Sequence, residues 1–540
     1  MQRIYGTENT YKNLIDQNLY YVDRTEALEQ LDHQAGMVNI LLRPEGFGRS
    51  LFLDMVHTFF EDERDEYGNH IDNSRYFEGK KIMLCDEDVL KEMGRHPVIH
   101  LRFNEVQGDD IESALLSLRK CILSELDRHA YVFDSLNAFE KRCFLRLKND
   151  PLEEMRFISG VEDMTKWLSD YHQAKTVVLI DDYDVPLERA ARNGYYEDMM
   201  EWLYHLYHGG MKDNSFMYFG LIMGRIRADN YSMSSVESTV MDWEYCEYFG
   251  FTEEETSKLL ADFHMRDRLE EIGKRYGGYR MGKNYMYRPA DVIRYANDRN
   301  VKPRTSDWII EFLLKRLTSY TRDDLETLLA GGTIEKLFRP LVTYEDLGKF
   351  KGGLFEDCIW TALLFFGYLK LASVRLEDPG LYAKLCIPNN EVKGIFRNRI
   401  DRRHQELIDH LDGEKLKTIL LNRQMNELEV YLSNAFHETV IYKDEGEEFY
   451  DDWMTGILEK VPGYEVYLAE ENLILEPENS NDPVMILRLA FLSDEDEMTA
   501  KEASEETLKK MKDSIYTNQG QNVIFWAVVF WSRYIRTLAE

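Results

Sequence analysis

This 540-residue chain has six cysteines, Cys85, Cys121, Cys143, Cys246, Cys358 and Cys386, with no two close together and no CxxC. That spacing argues against a disulfide framework or a zinc ribbon and fits a reducing compartment. Long hydrophobic runs are also lacking. The longest, Val523 to Trp531, is too short to span a bilayer and reads as a buried strand. The first ten residues, MQRIYGTENT, contain no apolar signal-peptide core. A cytoplasmic location without membrane association is therefore expected. The 12 prolines and 32 glycines are too few for a long low-complexity chain. Basic charge is scarce: 66 Lys and Arg face 98 Asp and Glu, for a net charge of −32. This argues against broad phosphate-backbone binding, although a local basic groove stays open.

What the chain does have is apolar material. Hydrophobic residues make up 44% and aromatics 13%, enough for sizeable cores. A length of 540 residues calls for several of them, because single cores stop growing near roughly 250–300 residues. In the first half, apolar runs alternate with helical spacing. MVNILL (37–42), HPVIHLRF (96–103), TVVLI (176–180) and FMYFGLIM (216–223) read as strands. Segments 50–60, 111–129 and 196–207 read as helices. Alternation of this kind predicts an α/β fold with a doubly wound, mostly parallel sheet covered on both faces. After residue 250, Thr252 and Glu255 have capping-box spacing, and a helical pattern continues with breaks to about 345. Segment 357–396 reads helix, strand, loop, strand, helix, the order of a small winged-helix-like module. The last hundred residues form a separate α/β unit. Helices are expected at 448–461 and 501–516, and strands at 464–467, 473–475, 484–491 and 523–531.

LLRPEGFGRS (41–50) lies between a strand and a helix, where backbone N–H groups and a helix N-terminus can cradle phosphate. A full phosphate loop reads G-x-x-x-x-G-K-[ST]. Gly48 and Ser50 fit that pattern, whereas Arg43 takes the first glycine position and Arg49 the lysine position. TVVLIDDYDVP (176–186) completes the pattern: an apolar strand ends on Asp181, suited to holding Mg²⁺, and Asp182, suited to orienting a water. The pair of motifs, in that order and about 130 residues apart, is more specific than either one. His205 and His208, three apart on a helix, lack a third metal ligand in the sequence, and 62–72 lacks the ligand order of an EF-hand.

LYYVDRTEALEQL, LLRPEGFGRSLFLDMVHTFF, NSRYFEGKKI, HPVIHLRFNEV, VVLIDDYDVPL and GFTEEE together resemble the AAA-ATPase-like family of bacterial proteins. YGGYRMGKNYMYRPADVI, FFGYLKL and IPNNEV look like further landmarks of it. The resemblance implies a P-loop domain over 1–250, a helical lid over 251–345 and a winged-helix-like module over 346–400. Linking helices would follow over 401–435, with a PD-(D/E)XK nuclease-like domain over 436–540. It implies ATP and Mg²⁺ as ligands, with Gly46, Gly48, Arg49 and Ser50 at the nucleotide and Ser50 and Asp181 at the metal. Asp182, Arg49 and Arg225 or Arg227, at the end of the fourth strand, would then serve catalysis. It also allows oligomerisation, since AAA relatives often assemble.

The chain departs from the family where chemistry would occur. The family loop reads close to RPRRFGKS and its acidic motif close to LIDEYDKP. Here Glu45-Gly46 replaces two arginines, Arg49 replaces lysine and Asp182 replaces glutamate. Arginine keeps the charge but is a larger, planar group. In the C-terminal domain, Asn472 takes the position of the nuclease aspartate, Arg488 that of the glutamate and Ala490 that of the lysine. Only Glu448 in the preceding helix still matches, and one carboxylate cannot hold the metal of a nuclease. Residues 436–540 carry 23 acidic against 9 basic residues, a net of −14, unlike a DNA-cutting groove. The expected function is a nucleotide-binding or pseudoenzyme regulatory or scaffold protein acting through a protein partner, with a basic one the best match to that charge. No cofactor and no nucleic acid are expected at the C-terminal domain. The alternatives are a slow Mg²⁺-dependent ATPase coupled to nucleic-acid recognition, or a nuclease with migrated metal ligands.

Overall fold

The computed structural model describes residues 10–34, 37–149, 159–212, 214–227, 236–242, 244–299, 304, 308–349, 353–378, 380–437, 439–440, 448–492, 498–514, 522–531 and 534–540. The chain divides into two units. One comprises Met1–Pro303 with Glu335–Val392, the other Arg304–Ile334 with Lys393–Glu540.

The first unit is built on β1 (Val38–Leu42), β2 (Val98–Arg102), β3 (Thr176–Asp181), β4 (Met217–Gly224) and β5 (Val236–Ser238). Their order in the sheet is β2-β3-β4-β1-β5, and all neighbours are parallel. Every residue of β1 and β3 is buried, which is why both are apolar without alternation apart from Asn39, Thr176 and Asp181. The four predicted strands are present. β5 was not expected, because VES has no apolar run; it is recruited by pairing with Asn39 to Leu41 of β1.

Helices α1 (Arg49–Phe60), α2 (Ile111–Arg128), α3 (Gly160–His172), α4 (Val185–Asn193) and α5 (Tyr196–Gly210) connect these strands. α1 packs on β3, α2 on β2 and α3 on β3. In α1, Phe52, Met55, Val56, Phe59 and Phe60 of the apolar positions read from the sequence are buried, joined by Leu53, whereas Leu51, read with them, is half-buried.

The capping box at Thr252 is formed. The Glu255 N–H donates to Thr252 Oγ1 at 3.2 Å, and the Thr252 N–H donates to Glu255 Oε2 at 2.9 Å. It starts α6 (Glu253–Asp262), which shares a core with α7 (Leu269–Tyr276) and α8 (Pro289–Asn297) through Leu259, Ile272, Tyr276, Val292 and Tyr295. The helical pattern read across this region needs correction. A hairpin of β6 (Tyr279–Met281) and β7 (Asn284–Met286) interrupts it. Tyr279, Met281 and Met286 are buried while Tyr285 is exposed, a period of two that the neighbouring helical spacing obscures. Strand β8 (Ile334–Leu337) is a second interruption. It lies beside the β9 (Lys370–Glu377) and β10 (Gly380–Cys386) hairpin in the order β8-β10-β9. Helix α9 (Gly353–Phe365) precedes that hairpin and α10 (Asn390–Asp409) follows it.

The second unit carries α11 (Gly413–Leu421), α12 (Met425–His437) and α13 (Glu448–Leu458), then a five-stranded sheet. Its strands are β11 (Tyr464–Ala469), β12 (Asn472–Pro477), β13 (Val484–Leu492), β14 (Val523–Trp531) and β15 (Tyr534–Ala539), in chain order across the sheet. β13 and β14 are parallel, and the other pairs are antiparallel. A parallel pair needs a crossover, supplied by α14 (Ala500–Ser514), whose Leu508 and Met511 pack with Ile486 and Ala527. β15 was not foreseen; its sequence YIRTLA is short and interrupted by charge. A cavity of about 660 Å³ in this unit is lined by His404, Leu407, Ile408, Val430, Tyr431 and Trp453, among others. Among the described residues, no helix is long and apolar enough to cross a membrane.

Candidate phosphate-binding site

Ligands of open α/β sheets collect outside the C-terminal strand ends, where the strand order reverses. Here β1 lies between β4 and β5, and β3 is one strand further along. The turn after β1 is the phosphate-loop candidate. Gly46 (φ 79°) and Gly48 (φ 95°) are both in the left-handed region, where a side chain is strained. Gly48 is the N-cap of α1, so the free N–H groups of the first turn sit beside Arg49 and Ser50. Ser50 is exposed, and its hydroxyl is among the groups that favour the ionised Asp181 carboxyl at the end of β3, against the larger effect of burial.

Asp181 is buried, and its carboxyl is pushed up to about 6 by that burial and by the adjacent Asp182 charge. The Asp182 N–H donates to Asp181 Oδ1 at 3.0 Å. Asp182 itself has φ 52°, an uncommon setting for a residue with a side chain. Its carboxylate does not face an open site. Arg49 Nη2 donates to Asp182 Oδ1 at 2.5 Å, and Arg49 Nη1 donates to the Arg43 carbonyl at 3.2 Å. The two positions that would handle γ-phosphate and water therefore hold each other, with Arg49 buried.

The other predicted residues fall in distinct places. Arg43 is fully buried and donates to the carbonyls of Leu42, Ser238 and Glu244 and to Ser238 Oγ, at 2.8–2.9 Å. It ties the loop to the strand on its far side, and burial lowers its pKa to about 10. Glu45 is exposed. Arg225, at the end of β4, is buried and paired with Asp184 and Glu188, its guanidinium over the Phe366 ring. Asp184 also accepts the Tyr344 hydroxyl at 2.6 Å. Arg227 lies 3.4 Å from Glu237. His205 is exposed, and the His208 ring lies against Tyr204 at 4.2 Å. In the second unit, Asn472 and Arg488 are direct partners across β12 and β13. Arg488 is ion-paired with Glu471, Ala490 is half-buried and Glu448 is exposed at the start of α13.

One residue of the loop was missed. Arg288 caps α8 just before Pro289, Nε donating to the Glu45 carbonyl at 2.8 Å and Nη1 to Asp291 Oδ1 at 2.7 Å. Its guanidinium covers Gly46, and a Cβ at that glycine would overlap it. The Ala290 N–H also donates to the Gly46 carbonyl at 3.2 Å. A signal was available: in YRPADVI an arginine stands where N-caps are normally Ser, Thr, Asp or Asn.

Residues 4–233 match the profile of the AAA-ATPase-like family, described as Predicted AAA-ATPase. The match is to this segment, which is less than half of the chain. An uncharacterized protein in the vnfD 5′ region of Azotobacter chroococcum mcd 1 is 25% identical over 396 residues, 71% of this chain and 66% of that protein. The Walker-type ATPase PABY2304 of Pyrococcus abyssi aligns at 11% identity and a TM-score of 0.35, over 71% of this chain and 97% of that one. So loose a likeness transfers no residue roles. The AAA-ATPase-like segment holds the loop, Ser50, Asp181 and Asp182, while Arg288 reaches the loop from beyond its end.

Proposed function

We propose that the chain binds a nucleoside triphosphate with Mg²⁺ at Gly46–Ser50 and Asp181, hydrolyses it poorly or not at all, and acts on a protein partner. The Arg49–Asp182 ion pair carries this reading. A working site needs the cation at position 49 free for phosphate and the carboxylate at 182 free for water. Here each neutralises the other, and Arg49 is also held by the Arg43 carbonyl. Asp182 is one methylene shorter than the glutamate of related loops. The loop amides and the α1 N-terminus still suit an anion. Ser50 and Asp181 are an oxygen-only donor pair, which suits Mg²⁺, and a bound cation would relieve the burial that raises Asp181. When bound, the ion would offset phosphate charge.

Calorimetric titration of the full chain with Mg–ATP, alongside a phosphate-release assay, tests this. Expected are binding without turnover and loss of Mg²⁺-dependent binding in Asp181→Ala. The double variant Arg49→Lys with Asp182→Glu should gain measurable hydrolysis. Turnover of the wild type at about 1 s⁻¹ or faster, within the usual enzyme range, and abolished by Asp181→Ala, would overturn the reading. So would the absence of any nucleotide binding.

The C-terminal sheet is read as a PD-(D/E)XK-like domain without its metal ligands. The element order helix, three strands, helix, strand, followed by one further strand, supports this, as does the pairing of Asn472 with Arg488. A carboxylate pair would be needed there; the guanidinium of Arg488 repels a cation, and the neutral amide of Asn472 supplies no charge to hold one. With its charge of −14, this region favours a basic protein over nucleic acid as partner. Metal-dependent cleavage of DNA or RNA by the wild type, lost in Glu448→Ala, would instead establish a nuclease with migrated ligands.

A further inference from the structure

A second cluster lies further along α1. Asp54 and His57 are three apart and share one face of that helix, and His100 reaches them from the middle of β2. One donor atom from each can be chosen so that all three lie within 4.8 Å of one another. The Nδ1 atoms of His57 and His100 are 3.1 Å apart. Two nitrogens bound to one zinc at about 2.0–2.1 Å in a tetrahedral site stand roughly 3.3 Å apart.

The surroundings orient these donors. His57 Nε2 lies 2.7 Å from Glu61 Oε2. Glu61 is also paired with Arg128. An imidazole that donates from Nε2 to a carboxylate keeps the Nδ1 lone pair for another partner, and here Nδ1 faces His100. This is the carboxylate–histidine arrangement that positions metal-bound imidazoles. His100 is 6% exposed, and its Nε2 has no hydrogen-bond partner. Asp54 accepts from Arg102 at 3.0 Å and from the Tyr11 N–H at 2.6 Å, which fix its carboxylate without exhausting its lone pairs.

We propose that Asp54, His57 and His100 form a binding site for a zinc-class divalent cation, with Glu61 as the group that orients His57. Two imidazoles and one carboxylate suit Zn²⁺ or its late first-row neighbours, not Mg²⁺ or Ca²⁺. Three protein ligands leave one position for water. The ion would pin α1 to β2 one turn beyond Ser50, a place and a chemistry separate from the phosphate loop. The inference therefore does not rest on nucleotide binding.

The test uses the full chain, freed of metal by a chelator and titrated with Zn²⁺ and with Co²⁺. One equivalent should bind, with cobalt absorption bands of a low-coordinate nitrogen/oxygen site and a raised melting midpoint. X-ray absorption of the zinc form should count two imidazoles. His57→Gln and His100→Gln should each abolish this binding, and Glu61→Gln should weaken it about 10–100-fold. Circular dichroism checks that the variants fold, and the imidazole count on the wild type stands even if one does not. Failure of the folded wild type to bind one equivalent, an imidazole count other than two, or binding unchanged in folded His57→Gln and His100→Gln would overturn the proposal.

Discussion

The phosphate loop of the first unit and the sheet of the second treat charge in opposite ways. In the loop, unusual residues keep their charges and bury them against partners: Arg43 among carbonyls, Arg49 on Asp182, Arg288 on Asp291 and the Glu45 carbonyl. At the sheet position, Asn472 is neutral, and Arg488 is paired at the rim with a mostly exposed Glu471. The first pattern leaves a turn whose charges are held in place. The second leaves a neutral amide beside one largely solvated ion pair. A lost lysine or glutamate in sequence does not distinguish these outcomes, whereas the partner of each replacement does.

The largest test of this contrast is Arg43→Met. It would remove the guanidinium that donates to the buried Ser238 carbonyl and to the Leu42 and Glu244 carbonyls, although Glu244 would keep Ser238 Oγ as a donor, at a cost of about 3 kcal/mol or more in urea unfolding. A loss under about 1 kcal/mol would mean that the loop is not held by its buried charge. Next is acid in the second unit. His404 is buried, and burial first, then Arg403, lowers its pKa to about 4. An unfolded histidine titrates near 6.5, so the unfolded state takes up the proton first as pH falls. Stability should be full above about 6.5 and decline towards pH 4, by up to about 3 kcal/mol. His404→Gln should flatten that dependence. A smaller effect, about 1 kcal/mol, is expected from Thr252→Ala, which removes a cap whose glutamate partner also holds Arg24. The smallest is Glu471→Gln, below about 0.5 kcal/mol, because the rim pair is largely solvated. A loss above 1 kcal/mol there would show that the second unit is also locked by charge.

Much of this architecture was legible in sequence. β1, β3 and β4 announce themselves because a sheet covered on both faces needs unbroken apolar runs, and the Thr252 cap because its chemistry is local. β5 and β15 were not legible: their residues are ordinary, and only the neighbouring edge makes them strands. The β6–β7 hairpin hid because its period of two is only a few residues long between helices. Ser50, Asp181 and Asp182 were legible as a pair of ordered motifs. The link from Arg49 to Asp182 was not, since nothing in either motif says which way a long side chain turns. His57 and His100 escaped notice because a strand supplies one of them and a helix the other.

Gly46 and Arg288 lie far apart in the chain, yet they occupy one volume. The consequence is a constraint on change. A side chain at 46 meets both an unfavourable backbone and a guanidinium, whereas shortening residue 288 removes only the second obstacle. Substitutions at these two positions should therefore be non-additive, and redesign of the loop has to begin in the helix at Pro289. In engineering terms, the boundary of this loop is drawn by contact rather than by sequence, and a segment ending at residue 233 would leave one wall outside.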